Sequence, residues 1–190
     1  EIASSEESLF ANGWIKSKID NYDEEYYRQW MHEIPPMINT KTNIAIDVHH
    51  NLIPLVSRIK LDSSKLLENV VIKNNYLVLS LEDRILHSAA HLLLDGEFKH
   101  GFRDLHDIYL LILEGTDCNN EFIIILRNRG DELGFNLILF YCLSLISEIF
   151  EFNVVNEGIN DLSKSIKRPF IAKLVLSMFK QVISPENKRQ

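Results

Sequence analysis

Asp47 and His49 stand two residues apart in the run Thr42-Asn43-Ile44-Ala45-Ile46-Asp47-Val48-His49-His50-Asn51-Leu52. Ile44, Ile46 and Val48 alternate there with Ala45, Asp47 and His49. This period of two predicts a strand with one aliphatic face, and a carboxylate and an imidazole about 7 Å apart on the other. An acid in the middle of an apolar strand is costly to bury unless a metal ion, an arginine or a hydrogen-bond donor pairs with it. Two readings stay open: an edge strand whose polar face is solvated, or a strand that presents Asp47 as a ligand.

A second constellation is His87-Ser88-Ala89-Ala90-His91. On a helix the i, i+4 spacing puts both imidazoles on one side, one turn apart, as in sites for divalent metals. Leu81, Ile85, Ala89, Leu92 and Leu93 fall on the core arc of that helix, and the histidines sit at its polar boundary with Arg84. Ser88 stands where a zinc protease carries glutamate, which removes that chemistry. Two histidines alone do not fill a tetrahedral site, and boundary histidines that hydrogen-bond a neighbouring element are the competing reading.

The third constellation is His100-Gly101-Phe102-Arg103-Asp104-Leu105-His106-Asp107. On a helix, Arg103, Asp104 and Asp107 form a polar stripe opposite Phe102, Leu105, Ile108, Tyr109 and Ile112. The stripe is either a solvated face or a phosphate site, with Asp107 holding the Arg103 guanidinium in place.

The elements that must carry these residues fall into two portions. In residues 1–79, Ser4 or Ser5 can cap a first helix that Asn12-Gly13 stops. Trp14–Ser17 reads as a short strand, and Asp23 as the cap of a short helix to Trp30 on which Tyr26, Tyr27 and Trp30 share one side. Met37–Asn39 and the Asp47 strand then make a hairpin. A short helix follows Asp62-Ser63-Ser64, and Val70–Ile72 pairs with Tyr76–Leu79 across Lys73-Asn74-Asn75. At Ser80 the periodicity changes. Ser80-Leu81-Glu82-Asp83 is a capping-box variant, and helices are expected at 81–94, 102–113, 119–133, 135–152 and 169–183. Gly101, Gly115, Gly134 and Gly158 lie in or beside the breaks, Pro169 sits just inside a start, and a polar tail follows from Ser184. The fold class is α+β: a thin mixed sheet with helices in residues 1–79, then an all-helical portion over residues 80–190.

Composition excludes several classes. With 190 residues, 46% hydrophobic and 25% charged, the chain is neither disordered nor fibrous. No apolar run approaches the roughly 20 residues of a membrane helix. Cys118 and Cys142 lack metal-ligand spacing, so a reduced, cytoplasmic setting is the expectation. A net charge of −7 argues against a broad nucleic-acid surface. The chain opens at Glu1 without methionine or a signal-peptide pattern, and we expect residues upstream of it.

Ile44-Ala45-Ile46-Asp47-Val48-His49-His50-Asn51-Leu52-Ile53-Pro54 resembles the strand segment of the uncharacterised nucleotidyltransferase family, in the superfamily that includes DNA polymerase β. Leu79-Ser80 with the helix to His91 resembles the same family's helix after a leucine-serine or leucine-threonine step. Phe102-Arg103-Asp104-Leu105-His106-Asp107-Ile108 resembles its next helix. The resemblance spans about Ser8 to Leu113.

It implies a partial nucleotidyltransferase-like sheet and transfer of a nucleoside monophosphate from a nucleoside triphosphate, with ATP the expected donor. It also implies two magnesium ions (Mg2+) held by three carboxylates. Asp47 matches the third of these acids, as catalytic residue and metal ligand. His49, His87, His91, Arg103 and Asp107 become candidate substrate-binding residues. The acceptor stays open, with nucleic acid disfavoured by charge. The family's glycine-serine turn and acidic pair do not occur before Asp47, and Asp23-Glu24-Glu25 lacks the glycine turn. They are expected upstream of Glu1. The alternative is a catalytically inactive binding or assembly module. So thin a sheet needs either that upstream segment or a second copy of the chain in a homo-oligomer.

Overall fold

The computed structural model describes residues 2–18, 20–55, 57, 59, 61–94 and 98–184. The fold is α+β, in two compact units, Glu1–Ser63 and Ser64–Gln190. The sequence division after Leu79 therefore differs from the contact boundary by one short helix and one hairpin. The polar tail expected after Ser184 lies outside the described residues.

In the first unit, α1 (Ile2–Ala11) leads into β1 (Trp14–Lys16), followed by α2 (Asn21–Trp30), β2 (Met37–Asn39) and β3 (Ala45–Ile46). The strands form an antiparallel sheet in the order β1-β2-β3, and both described sheets are antiparallel where a mixed one was expected. α1 begins before Ser4 and Ser5, which lie inside it rather than capping it. The cap of α2 is Asp20, whose carboxylate accepts from the Asp23 backbone N–H at 2.8 Å, so Asp23 is a first-turn residue. Buried Glu6 receives the Arg28 guanidinium through both oxygens, and Glu24 bridges Arg28 and Lys16, which ties α1, β1 and α2 together. Ile34, Met37, Leu52 and Ile53 make the small apolar core.

The Asp47 strand is shorter than the alternation predicts. It pairs with β2 only at Ala45 and Ile46, and the chain meets its partner again at an isolated bridge between Glu33 and His49. Ile44, on the supposed aliphatic face, is 58% exposed. Pro35 and Pro36 explain the interruption, because neither has an N–H to donate to a neighbouring strand.

In the second unit, α3 (Ser64–Glu68) precedes the hairpin of β4 (Val71–Lys73) and β5 (Tyr76–Val78). Asn74 and Asn75 both have positive φ, as a two-residue hairpin turn requires. Then come α4 (Leu81–Leu94), α5 (Gly101–Cys118), α6 (Phe122–Leu133), α7 (Asn136–Ile149), a 3-10 turn at Asn153–Val155, α8 (Asn156–Ser165) and α9 (Pro169–Ile183). α7 is buried at every position from Ile138 to Ile146 and packs against α4, α5, α6, α8 and α9. A helix apolar all round belongs in a core. α8 is absent from the sequence reading. Gly115 and Gly158, read as breaks, lie inside α5 and α8, where a Cβ would collide with Phe122 and Ile123. No helix among the described residues is long and apolar enough to cross a membrane.

The start of α4 revises the capping box. Ser80 Oγ accepts the Asp83 N–H as expected. The Asp83 carboxylate, fully buried, turns instead to Arg129 on α6 and takes two hydrogen bonds at 2.7 and 2.8 Å. Asp83→Ala strands that guanidinium, 10% exposed, and we expect it to cost about 3–5 kcal/mol in urea unfolding. An apolar replacement of both partners, Asp83→Leu with Arg129→Met, should recover most of the loss. Thiol labelling gives a second check. Burial pushes the Cys142 thiol up to about 12 while Cys118 is exposed, so the native chain should react once, at Cys118.

Candidate functional site

Ser80 and the Asp83–Arg129 pair fix where α4 starts, and therefore which way its histidines point. His87 and His91 stand one turn apart with ring centroids separated by 5.5 Å and planes at 84°. Their apolar neighbours Ile85, Leu86, Ala89, Ala90, Leu92 and Leu93 are buried, which leaves the histidines on the boundary as their spacing predicts. α5 runs beside α4 and begins at Gly101, so Lys99 and His100 precede its first turn and Asp104 and Asp107 follow within two turns.

Between these helices lies a groove of about 660 Å³. It is lined by His87, His91, Lys99, His100, Asp104 and Asp107, with Ser88 and Leu92 in its wall. The volume falls in the range of small-molecule sites. Imidazole N–H groups and the Lys99 ammonium can donate to an anionic oxygen, while Asp104 and Asp107 can accept from hydroxyls or hold a cation. Three sequence-derived candidates, His87, His91 and Asp107, thus share one groove. Lys99 was not singled out, and nothing in its spacing marks it: it enters only because the chain turns into α5 beside it.

Arg103 does not line that groove. Its guanidinium bonds the neighbouring Asp104 carboxylate at 3.0 and 3.2 Å, and its side chain is 65% exposed. Asp107, expected to hold that guanidinium, faces the groove instead.

Asp47 and His49 belong to the first unit. Asp47 is exposed just past the end of β3. His49 Nε2 lies 3.2 Å from the Glu33 carboxylate. Next to it, burial and then the charge of His49 hold the His50 imidazole below its ordinary range.

The polar groove between α4 and α5 suits the binding of a polar, charged small molecule. Residues 1–151 match the profile of the uncharacterised nucleotidyltransferase family, more than three-quarters of the chain. The protein belongs to that family, so its general kind is that of a nucleotidyltransferase, and the family implies a nucleotide substrate. No curated protein and no solved structure matches the chain.

The groove geometry separates Arg103 from its neighbours in a testable way. An exposed ion pair between adjacent residues adds little to stability, so Arg103→Ala should change the urea midpoint by less than about 0.5 kcal/mol equivalent. A loss several times larger would mean that Arg103 makes a buried contact the geometry does not contain.

Proposed function

We propose that the protein transfers a nucleoside monophosphate from a nucleoside triphosphate, with ATP the expected donor, to a hydroxyl-bearing acceptor, and that Asp47 is a carboxylate ligand of magnesium. Family membership across residues 1–151, with Asp47 inside the matched stretch, is the observation that carries this reading. In the reaction an acceptor oxygen bonds to the α-phosphorus, the bond to the β-phosphate oxygen breaks, and pyrophosphate leaves with that electron pair. The acceptor proton passes to solvent or base.

The fit to magnesium can be judged from Asp47 itself. Magnesium commonly binds through one or two carboxylates plus substrate phosphates and keeps several waters. An exposed carboxylate outside any described ion pair or hydrogen bond fits one such ion. It does not make a three-carboxylate site: among the described residues, the grouping of three ligand-type side chains is His32, Glu33 and His49, without Asp47. When bound, magnesium would supply charge neutralisation at the phosphates and activation of the acceptor hydroxyl. The chain's own residues do the remaining work. In the α4–α5 groove, Lys99 and the imidazoles of His87, His91 and His100 donate to anionic oxygens of the substrate, and Asp107 accepts from a hydroxyl. Arg103, on the exposed stripe beside the groove, can meet a phosphate from outside once it releases Asp104. The absence of Asp47 from any described three-ligand group favours one other reading, a binding module that has lost the chemistry.

The test uses the full chain, ATP labelled at the α-phosphate, magnesium and a mixture of small acceptors. Asp47→Asn keeps the shape and removes the charge. Binding of ATP with magnesium should persist, label transfer should fall by about a hundredfold or more, and the melting temperature should hold or rise. Lys99→Ala should instead weaken ATP binding by about tenfold, the scale of one charge-assisted hydrogen bond. Transfer at the unmodified rate in Asp47→Asn removes Asp47 from the chemistry. ATP binding without transfer in the unmodified chain supports the binding module.

A further inference from the structure

Three side chains of the first unit converge without help from Asp47. His32, Glu33 and His49 each offer a ligand atom, and these atoms all lie within 4.8 Å of one another. His49 Nε2 and a Glu33 oxygen are 3.2 Å apart. Around a tetrahedral zinc ion with bonds of roughly 2.0–2.1 Å, neighbouring ligand atoms sit about 3.3 Å apart. One pair is therefore already at the spacing a shared ion would impose, and the third ligand needs to move by an ångström or so. The rings of His32 and His49 face each other with centroids 5.0 Å apart and planes tilted by 52°.

The backbone holds this convergence. The N–H groups of His50 and Asn51 both donate to the His32 carbonyl, at 2.9 and 3.1 Å, and Ile34 N–H donates to the Val48 carbonyl at 3.0 Å. Glu33 and His49 are opposed in an antiparallel bridge. His32 is only 6% exposed, while Glu33 and His49 open toward solvent. The cluster thus has a closed back and an open front, as in a site with three protein ligands and one position left for water.

We propose that His32, Glu33 and His49 bind a divalent transition-metal ion of the zinc type. Two imidazole nitrogens and one carboxylate oxygen suit zinc and its neighbours, whereas magnesium selects oxygen ligands. The site is distinct from the magnesium ligand proposed at Asp47, and it makes His49 a metal ligand rather than a direct substrate contact. The ion would pin His49 to the Glu33 edge two residues beyond Asp47, which fixes the path of the chain as Asp47 leaves β3.

The experiment reads metal binding and no activity, so its outcome is independent of whether the protein transfers nucleotides. The full chain is stripped with chelator and titrated with zinc by calorimetry, then with cobalt(II), whose visible bands report coordination. A single ion per chain is expected, with tetrahedral or five-coordinate cobalt bands, undisturbed by excess magnesium. Glu33→Gln and His49→Ala should each lower zinc affinity by about a hundredfold or more. Both side chains are partly exposed, and circular dichroism verifies that the variants fold; buried His32 is left in place. His87→Ala with His91→Ala should leave zinc affinity unchanged. The proposal is overturned if zinc does not bind, or if its affinity survives both Glu33→Gln and His49→Ala. It is equally overturned if the loss follows the α4 histidines.

Discussion

The buried pair of Asp83 and Arg129 constrains the helical unit more than any other polar contact. Arg129 comes from α6, meets both oxygens of Asp83 on the first turn of α4, and also donates to the Lys65 carbonyl of α3 and to Glu132. Three elements distant in sequence therefore share one planar group, and the fork of the guanidinium allows little angular freedom. Such a pair gains little net stability once desolvation is counted, but it strongly disfavours arrangements that separate the two charges. The hydrogen bond to Asp83 holds the guanidinium charged well above its ordinary range. The guanidinium therefore stays ionised across the working pH range, and its fork on Asp83 specifies the register of α4. That register sets the direction of His87 and His91, and hence the wall of the groove.

A different constraint shapes the first unit. β2 and β3 pair Met37 with Ile46 and Ile38 with Ala45. Had that register continued, His49 would oppose buried Ile34. Instead the chain takes three steps from Ile46 to His49 while its partner takes four from Met37 back to Glu33, so one residue is extra. Pro35 and Pro36 occupy that interval, and a residue gained on one strand of an antiparallel pair acts as a bulge that re-aims the side chains beyond it. The slip brings His49 to Glu33 and His32. An uninterrupted strand would have set an imidazole against an isoleucine.

These two cases explain how much of the molecule was legible in its sequence. α4 and α9 read correctly at both ends because Ser80 and Pro169 are local start signals and their apolar spacing is regular. The hairpin turn, read at Lys73-Asn74-Asn75 and found at Asn74-Asn75 with Lys73 in β4, is equally local. The pairing of His87 with His91 needed only helical geometry. Several readings that failed depended on distant partners. Asp83 looked like half of a capping box because its partner lies 46 residues away. Gly115 and Gly158 looked like breaks because the Phe122 and Ile123 side chains that exclude a Cβ belong to α6. α8 went unread because it is short and polar over most of its length: its amphipathic stripe, with Gly158 and Leu162 buried where the helix packs on α7, holds few apolar residues. His32 and Glu33 were invisible because their relation to His49 rests on a register slip that no pattern within either segment encodes.

Charge links the two halves of the functional argument. The chain carries a net −7, so its long-range field opposes a free triphosphate. Under the proposed function, binding would then rest on short-range donors and on a cation that travels with the substrate. The groove supplies the donors. The imidazoles of His87, His91 and His100 offer N–H groups, and Lys99 adds one ammonium to the lining. Asp104 and Asp107 on the opposite wall would repel bare phosphates, yet they suit sugar hydroxyls or a hydrated metal. Under the proposed function, that acidic wall would favour a nucleotide already complexed to magnesium over the free nucleotide. A chain that selected the metal complex in this way would need no strongly basic surface, and the proposal would then reconcile a nucleotidyltransferase family with an acidic protein.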